Sequence, residues 1–186
     1  MAQEQSFYET FRVKLEAVSG ECHWASSAGE AAELIKHILQ GKGVKSVALT
    51  GPLLSGIGGG LADYLSQAGI AVNTDNLRAT APEVDAGITS ARWAVAETGT
   101  VVQTATDVDE RLCSTLPPIH LAVVAADSLV PTLAEALARI HSSPQIPGFV
   151  GFITGPSRTS DIERVLTIGV HGPEQFIVLF IDGEVE

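Results

Sequence analysis

VKSVALTGPLLSGIGGGLADYLSQAGIAV (44–72) is the stretch that decides the predicted fold. Its first part, 44–50, is short, rich in β-branched residues and bounded by glycine, which predicts a strand. A glycine-rich turn (51–60) follows, and the apolar spacing over 61–69 predicts a helix that ends at a glycine. Residues 70–72 are predicted to form the next strand. The stretch therefore forms one strand–turn–helix–strand unit of an α/β protein.

The same alternation of strands and helices continues to the C-terminus. Strands are predicted at 84–89, within 93–104 as two short strands joined at 97–100, and at 119–126, 149–154 and 176–182. Helices are predicted within 107–116, at 131–141 and after 156–160. Nearly continuous apolar runs are typical of parallel strands covered on both faces. We therefore predict a mostly parallel sheet with helices on both faces, in which 44–50, 119–126, 149–154 and 176–182 are adjacent or nearly so.

The N-terminal segment has a different pattern. Apolar residues at spacings of four, four and three over 7–18 predict one helix, and the apolar stripe over 28–40 predicts a second. The intervening residues 22–27 are expected to form a loop. We therefore predict an N-terminal helical appendage, 1–42, packed on a single α/β domain, 43–186.

Charge excludes some functions. The chain carries 11 Lys and Arg against 22 Asp and Glu, a net charge of −11. A protein that coats nucleic acid needs cations to release phosphate counterions, so that class is excluded. Binding to an anionic membrane surface is also disfavoured. Any anionic ligand must be held by a local site, because the overall field repels it.

The cysteine count and the hydropathy pattern limit which cofactors the protein can hold and where in the cell it is expected. Cys22 and Cys113 cannot by themselves hold an iron–sulfur cluster, and the sequence shows no second ligand pair at metal-binding spacing. We therefore expect no metal and no cofactor. The sequence has no apolar signal core and no run approaching the length of a membrane span, so we expect a cytoplasmic protein without a membrane segment.

The glycine-rich turn 51–60 is the first candidate ligand site. It lacks the Gly-Lys-Ser/Thr of a P-loop, and Leu61 stands where a dinucleotide fingerprint has Gly or Ala. Two interpretations stay open. Backbone N–H groups near Gly56 and Gly58 contact an anion or nucleotide, or the glycines only allow a helix to pack closely on a strand.

The second candidate is TGPSRTSDIE (154–163), between a predicted strand and a predicted helix. Ser160 and Glu163 fit a capping box, which is a purely structural role. Capping does not explain Gly155, Ser157 and Arg158, and Thr159 is a further candidate for ligand binding. A glycine for close approach, a hydroxyl and an arginine fork at a helix N-terminus predict a local anion site. The alternative is an ordinary surface arginine.

The third candidate is the turn AETGT (96–100) with Glu97, Thr98 and Gly99. A carboxylate at the end of an apolar strand can become partly desolvated, which suits a base or a nucleophile. The alternative is a hairpin turn in which Glu97 and Thr98 only bond backbone amides.

The fourth candidate is GVHGP (169–173), just before the last predicted strand. His171 lies beside Gly172 in a loop, where it can act as an acid–base group or a neutral donor. The alternative is a histidine that bonds a neighbouring carbonyl in a tight turn.

Three of these segments together resemble the LUD family. They are GITSARWAVAETGT (87–100), TGPSRTSDIE (154–163) and GVHGP (169–173), in the order that the family has them and followed by an apolar strand. The resemblance covers about the C-terminal half of the chain. The N-terminal half agrees only in element order and in the glycine-rich turn.

The resemblance implies a fold and a metabolic role. The fold is a Rossmann-like sheet similar to that of glucosamine-phosphate deaminase, ribose-phosphate isomerase and CoA transferases. The role is the oxidation of L-lactate to pyruvate, alongside other lactate-utilisation proteins, one of them rich in iron–sulfur motifs. The resemblance also implies that Glu97, Arg158 and His171 share one crevice, with Glu97 as the analogue of the superfamily's acidic residue.

Three hypotheses about function follow. In the first, the chain is an accessory component of a lactate-oxidising system and binds a small anion or an iron–sulfur partner. In the second, it is a free-standing enzyme on a phosphosugar, folate or CoA-like substrate, with Glu97 as base or nucleophile. In the third, it is a non-catalytic interaction module with an apolar surface patch.

Overall fold

The computed structural model describes residues 2–57, 60–144, 147–159, 167–168 and 171–182, with residues 2–4, 158–159 and 167–168 described by their backbone alone. The helices are α1 (Ala2–Glu16), α2 (Ala28–Gly41), α3 (Leu61–Gln67), α4 (Leu77–Thr80), α5 (Val108–Thr115) and α6 (Leu133–His141). The strands are β1 (Glu21–Ala25), β2 (Ser46–Thr50), β3 (Ala71–Asn73), β4 (Ala86–Ser90), β5 (Trp93–Val95), β6 (Thr100–Ala105), β7 (Ile119–Ala125), β8 (Leu129–Val130), β9 (Phe149–Ile153), β10 (Arg158–Thr159), β11 (Thr167–Ile168) and β12 (Gln175–Ile181).

The central sheet has six strands in the order β1-β12-β7-β4-β2-β3, and each neighbouring pair is parallel. The apolar runs predicted at 44–50, 119–126 and 176–182 supply β2, β7 and β12, which confirms the α/β fold. β7 and β12 are buried along nearly their whole length, because both faces of the sheet are covered.

Side-chain alternation along the central strands divides the core into two layers. Leu121 and Val123 of β7 pack with α2 and α3 on one face. Ala122 and Val124 pack with α1 and a second sheet on the other face, where Phe11 of α1 meets Phe180 edge to face at 5.0 Å. Helices therefore cover both faces, as predicted.

The prediction that 149–154 joins the central sheet is wrong. β9 belongs to a second, four-stranded sheet in the order β8-β5-β6-β9, where it pairs antiparallel with β6. An apolar run predicts burial but does not identify the strand with which it pairs. β9 pairs with β6 and not with a strand of the central sheet. The second sheet covers part of the central sheet, and this arrangement decides where the candidate sites lie.

The prediction of a loop over 22–27 is also wrong. Residues 21–25 form β1, an edge strand that pairs parallel with β12. Ala25 packs toward α2, whereas Cys22 and Trp24 pack toward α1. Glu21 and His23 interrupt the apolar pattern, so the alternation was not recognised. The division of the chain at residue 42 stays a prediction, and residues on both sides of it contribute strands to the central sheet.

Candidate functional site

The three segments that resemble the LUD family meet in space. We call the turn 96–99, the segment 154–157 and the loop 171–174 the motif cluster. The antiparallel pairing of β6 with β9 places Thr100 beside Thr154, and their hydroxyl oxygens lie 2.7 Å apart. The Ser157 N–H donates to the carbonyl of Pro173 at 2.9 Å. Residues more than 50 positions apart in sequence thus form one surface.

Glycines in the motif cluster allow close backbone packing. Gly99 has φ +64°, and a Cβ there would lie 2.6 Å from the Leu15 nitrogen of α1. Gly155 has φ +127°, and its Cβ would lie 3.0 Å from Val18 just beyond α1. Gly172 has φ +144° and faces Ser157. These three positions therefore have a structural reason to be glycine, and their predicted role in ligand binding stays a prediction.

Glu97 is exposed and bonds a helix terminus. Its Oε1 accepts a hydrogen bond from the Leu133 N–H at 2.6 Å, in the first turn of α6. Thr132 caps the same helix by accepting from the Glu135 N–H at 3.2 Å. A carboxylate at a helix N-terminus stabilises the helix. This geometry matches the alternative in which Glu97 bonds backbone amides, and its role as base or nucleophile stays a prediction.

The remaining predicted site residues have mixed outcomes. His171 is exposed in its loop, and Thr98 has a buried hydroxyl that lacks a partner among the described residues. Gly56 ends a short 3₁₀ helix, Pro52–Ser55, with φ −83°. Gly58 and the predicted helix after 156–160, with its capping box, lie outside the described residues. The side chains of Arg158 and Thr159 do too, so the crevice shared by Glu97, Arg158 and His171 stays a prediction.

The motif cluster lies at the amino-terminal edge of the central sheet. The Glu174 N–H donates to the Pro118 carbonyl at 2.8 Å, just before β12 and β7 begin. Gly99 and Gly155 contact the end of α1 that precedes β1. In open parallel sheets, ligands usually bind at the opposite, carboxyl edge.

The carboxyl edge holds a cavity of about 270 Å³, which we call the strand-end cavity. Its lining comprises Thr50, Gly51, Pro52, Leu53, Thr89, Ser90, Ala91, Arg92, Gln103, Thr104, Glu110, Ala125 and Ser128. These residues lie at or just beyond the carboxyl ends of β2, β4 and β7, or belong to β6 and α5. The start of the glycine-rich turn, Gly51 to Leu53, thus lines this cavity, although Gly56 is not in the lining.

A hydrogen bond fixes the glycine-rich turn against β4. The Leu53 N–H donates to Ser90 Oγ at 3.1 Å. Gly51 has φ +131°, and a Cβ at this position would collide with the Ser90 side chain. The turn is therefore close-packed against β4 at Gly51, and contact of its glycines with a ligand stays a prediction.

Beneath the cavity lies a buried polar pair. Thr89 Oγ1 is 2.8 Å from Nε2 of His120, and both side chains are buried. Burial lowers the pKa of His120 to about 3, so the imidazole stays neutral. The Nδ1 atom has no partner among the described residues. A neutral histidine therefore fixes the Thr89 side chain, which is part of the cavity wall.

Sequence analysis did not single out the cavity's three residues with charged or amide side chains, Arg92, Gln103 and Glu110. Arg92 falls within a stretch that resembles the LUD family, between β4 and β5. Gln103 is a polar residue inside the apolar strand β6 and is 2% exposed. A polar residue at a core position was the available signal.

A second cavity of about 360 Å³ lies between α1 and the carboxyl ends of β1 and β12, with Tyr8 and Trp24 in its lining. Glu9, Asp127 and Asp182 also line it, so its charge disfavours an anion. Among the described residues, no group of three or more His, Cys, Asp or Glu is arranged to hold a metal ion. In that same part of the chain, no helix is both long and apolar enough to cross a membrane.

Comparisons with known proteins agree with the sequence resemblance. The family model described as LUD domain matches residues 8–181. "Lactate utilization protein C" of Halalkalibacterium halodurans is 34% identical over 122 residues, which cover 61% of this chain and 53% of that protein. The protein of the same name from Geobacillus sp. strain WCH70 is 40% identical over 97 residues, covering 50% of this chain and 40% of that protein. The chain therefore spans about half the length of these curated relatives.

A solved structure supports the fold. The crystal structure of a DUF162 family protein from Deinococcus radiodurans superimposes with a TM-score of 0.65 at 23% identity. The match covers 97% of this chain and 98% of that chain. At this level of identity the likeness extends to the fold alone.

Proposed function

Because this chain belongs to the LUD domain family, we propose that it is a component of a lactate-utilisation system, in which L-lactate is oxidised to pyruvate. We further propose that it binds a small anion at the motif cluster, or a partner protein there. The observation that carries the role is the similarity to relatives named for lactate utilisation.

The geometry of the motif cluster supports a binding function. The hydrogen bond from Ser157 to Pro173 joins two segments that carry the resemblance, and it presents His171 as an exposed side chain beside them. Arg158 continues the same segment. On a chain with net charge −11, an anion needs such a local cation.

The cysteines favour a partner that brings its own cluster. Cys113 is buried and donates to the Ala48 carbonyl at 3.2 Å, and burial raises its pKa to about 12. Burial likewise raises the pKa of Cys22 to about 12. Two cysteines on separate elements cannot by themselves hold an iron–sulfur cluster. We therefore assign the role of the iron–sulfur protein to a partner.

The contacts of Glu97 give less support to the hypothesis of a free-standing enzyme. Its carboxylate accepts the Leu133 N–H through Oε1, which is the structural role that the alternative interpretation gives it, and neither of the two cavities described above has Glu97 in its lining. We therefore favour the accessory component.

The test compares Arg158→Ala with Arg78→Ala, which changes an exposed arginine on α4. Each variant is expressed in a bacterium that lacks its own LUD protein, and growth on L-lactate is measured. We expect Arg158→Ala to lose growth and Arg78→Ala to keep it. Calorimetric titration with lactate, pyruvate, phosphate and sulfate should show at least about tenfold weaker binding for Arg158→Ala, because one charged hydrogen bond is lost.

Two results would contradict the proposal. If wild-type chain does not restore growth on L-lactate, the role in lactate utilisation is wrong. If both variants restore growth and bind the anions equally well, the anion site is not at 154–160.

A further inference from the structure

We propose that the cavity of about 360 Å³ between α1 and the carboxyl ends of β1 and β12, which we call the α1 cavity, binds a small aliphatic diamine in its doubly protonated form. The inference rests on two half-buried aromatic rings and on two exposed aspartates in the lining. The α1 cavity shares no residue with the motif cluster or with the strand-end cavity, so the inference does not depend on the proposed function.

Two aromatic rings line the α1 cavity and are held in fixed positions. The Tyr8 ring of α1 meets the Trp24 ring of β1 edge to face, with their ring centres 4.8 Å apart. Both rings also pack on Phe180 of β12, at 5.6 and 5.9 Å between ring centres. Phe180 is fully buried, whereas Tyr8 and Trp24 are half-buried. Part of each of these two rings therefore stays accessible, and their mutual packing fixes them before any ligand enters.

Strand alternation places the Asp182 side chain on the same side of the sheet as these rings. The Asp182 N–H donates to the Ala25 carbonyl at 2.8 Å, so the pairing of β12 with β1 continues to this residue. Phe180 packs toward α1, whereas Ile181 packs toward α2. Because side chains alternate along a strand, Asp182 follows Phe180 on the α1 side. Its carboxylate therefore faces the same side of the sheet as Trp24, which is the register partner of Phe180.

Asp127 is the second aspartate of the lining. It lies in the short 3₁₀ helix Ala126–Ser128 that follows β7, the strand next to β12. Its Oδ1 accepts a hydrogen bond from the Ser128 hydroxyl at 3.3 Å. Neither Asp127 nor Asp182 forms an ion pair with another residue that the structure describes. Both aspartates are exposed, so a ligand in the cavity can reach their carboxylates.

The lining carries more negative than positive charge. The carboxylate of Glu9 accepts hydrogen bonds from the Arg12 guanidinium at 2.7 and 3.2 Å, so its charge is already paired. Among the described residues that line the α1 cavity, none is Lys, Arg or His. The charges of Asp127 and Asp182 therefore stay uncompensated within this lining. On a chain with net charge −11, such a cavity attracts cations.

This combination of groups favours an organic dication. A primary ammonium group donates charged hydrogen bonds to a carboxylate and is also attracted to the face of an aromatic ring. Two ammonium groups match the two aspartates, and the aliphatic chain between them covers the accessible parts of Tyr8 and Trp24. A divalent metal ion prefers oxygen ligands and water, so it would leave both rings exposed. The volume is at the lower end of ligand pockets and suits a small molecule.

The test uses ligands that differ in charge at similar length. The full chain is titrated by calorimetry with putrescine and cadaverine, and with butylamine, butanediol and Mg²⁺ as controls, all at one ionic strength because salt screens these charges. We expect at least one of the two diamines to bind. Butylamine should bind at least about tenfold more weakly, because it lacks one charged hydrogen bond. Butanediol should not bind, and Mg²⁺ at the same concentration should not displace the diamine.

Variants matched in charge locate the site. Asp127→Asn and Asp182→Asn change exposed side chains, and each should weaken diamine binding at least about tenfold. Asp75→Asn is the control, because it removes the same charge from an exposed aspartate outside the lining and should bind like wild type. Arg158→Ala, which tests the motif cluster, should also bind the diamine like wild type. An unfolding curve for each variant confirms that it folds.

Tryptophan fluorescence reports contact with the rings. The chain has two tryptophans, Trp24 and Trp93. Trp93 packs in a different cluster, with Val95 and Val102 of the second sheet. In Trp93→Phe, the remaining emission comes from Trp24, and a saturating diamine should change its intensity or its wavelength. Butanediol at the same concentration should leave the emission unchanged.

Four outcomes would overturn the inference. They are no binding of either diamine, binding of butylamine or Mg²⁺ as tight as that of the diamine, binding by both Asp127→Asn and Asp182→Asn equal to that of Asp75→Asn, and a Trp24 emission that the diamine does not change. The second and third would show non-specific attraction of cations to an acidic chain. None of the four bears on growth on L-lactate or on anion binding, so the proposed function is tested separately.

Discussion

The motif cluster and the strand-end cavity lie at opposite edges of the same sheet and are built differently. At the amino edge, Gly99 and Gly155 let two turns press their backbones onto the end of α1. At the carboxyl edge, side chains surround an open cavity, and one buried acceptor, Gln103 Oε1, is left unpaired among the described residues. At the amino edge, a recognisable sequence motif therefore corresponds to close backbone packing. At the carboxyl edge, the sequence indicated the cavity only through polar residues, such as Gln103, inside apolar strands.

The largest expected effect comes from the packing of the motif cluster. Gly99→Ala places a Cβ 2.6 Å from the Leu15 nitrogen in a left-handed conformation. We expect a loss of about 4 kcal/mol in the free energy of unfolding, from backbone strain and overpacking together. Gly43→Ala is the matched control, because Gly43 is also left-handed, with φ +71°, but has open space around its Cβ. It should lose about 1 kcal/mol.

Urea unfolding of both variants separates the two contributions. Equal losses for Gly99→Ala and Gly43→Ala would mean that the contact with α1 is not tight, and the contrast between a closed amino edge and an open carboxyl edge would fail.

An intermediate effect is expected from His120 beneath the strand-end cavity. Burial lowers its folded-state pKa to about 3, below the unfolded value of about 6.5. Between these values the unfolded chain binds a proton that the folded chain does not, so the contribution is complete above pH 6.5 and is lost as pH falls toward 3. From pH 7 to pH 4 this amounts to about 3 kcal/mol.

His120→Gln cannot be protonated, so its stability should fall less than that of wild type over the same pH range. His141→Gln, which changes an exposed histidine of α6, should follow wild type. The measurement is the free energy of unfolding in urea at pH 7, 5.5 and 4. Parallel curves for wild type and His120→Gln would show that His120 is charged in the folded protein.

The smallest effect concerns Glu97. Glu97→Ala removes the acceptor for the Leu133 N–H and should cost about 1 kcal/mol, whereas Glu97→Gln keeps an oxygen and should cost about half as much. Both variants should support growth on L-lactate. If Glu97→Gln unfolds like wild type and yet abolishes growth, the carboxylate has a chemical role and the motif cluster is a reaction site.

The sequence was most informative where burial alone determines structure. The runs that became β2, β7 and β12 are apolar on both faces, and such runs form central strands of a parallel sheet. It was least informative where pairing is a choice between strands. β9 is equally apolar but pairs with β6, and β1 was missed because Glu21 and His23 interrupt its pattern.

The same distinction applies to the candidate sites: local sequence indicated some of their residues, whereas other contacts were visible only in the structure. Glycine, proline and polar residues at strand ends showed which loops are special, and the structure brings Gly155, Ser157 and Gly172 together. No local pattern indicated that Gln103 of β6 would bond the carbonyl of Glu110 in α5, or that Arg92 would lie beside them. Such contacts depend on how the second sheet packs on the first.

The amino-acid sequence by itself determined the α/β class, the family and the loops that carry its motifs, because hydrophobic periodicity and turn chemistry act over a few neighbouring residues. Only the tertiary structure decided that these loops gather at the amino edge, that Glu97 caps α6, and that a cavity opens at the carboxyl edge with the unpaired oxygen of Gln103 buried in its wall. The reason is physical: strand pairing and sheet packing are set by contacts between residues far apart in the chain, and those contacts fix which polar atoms find a partner.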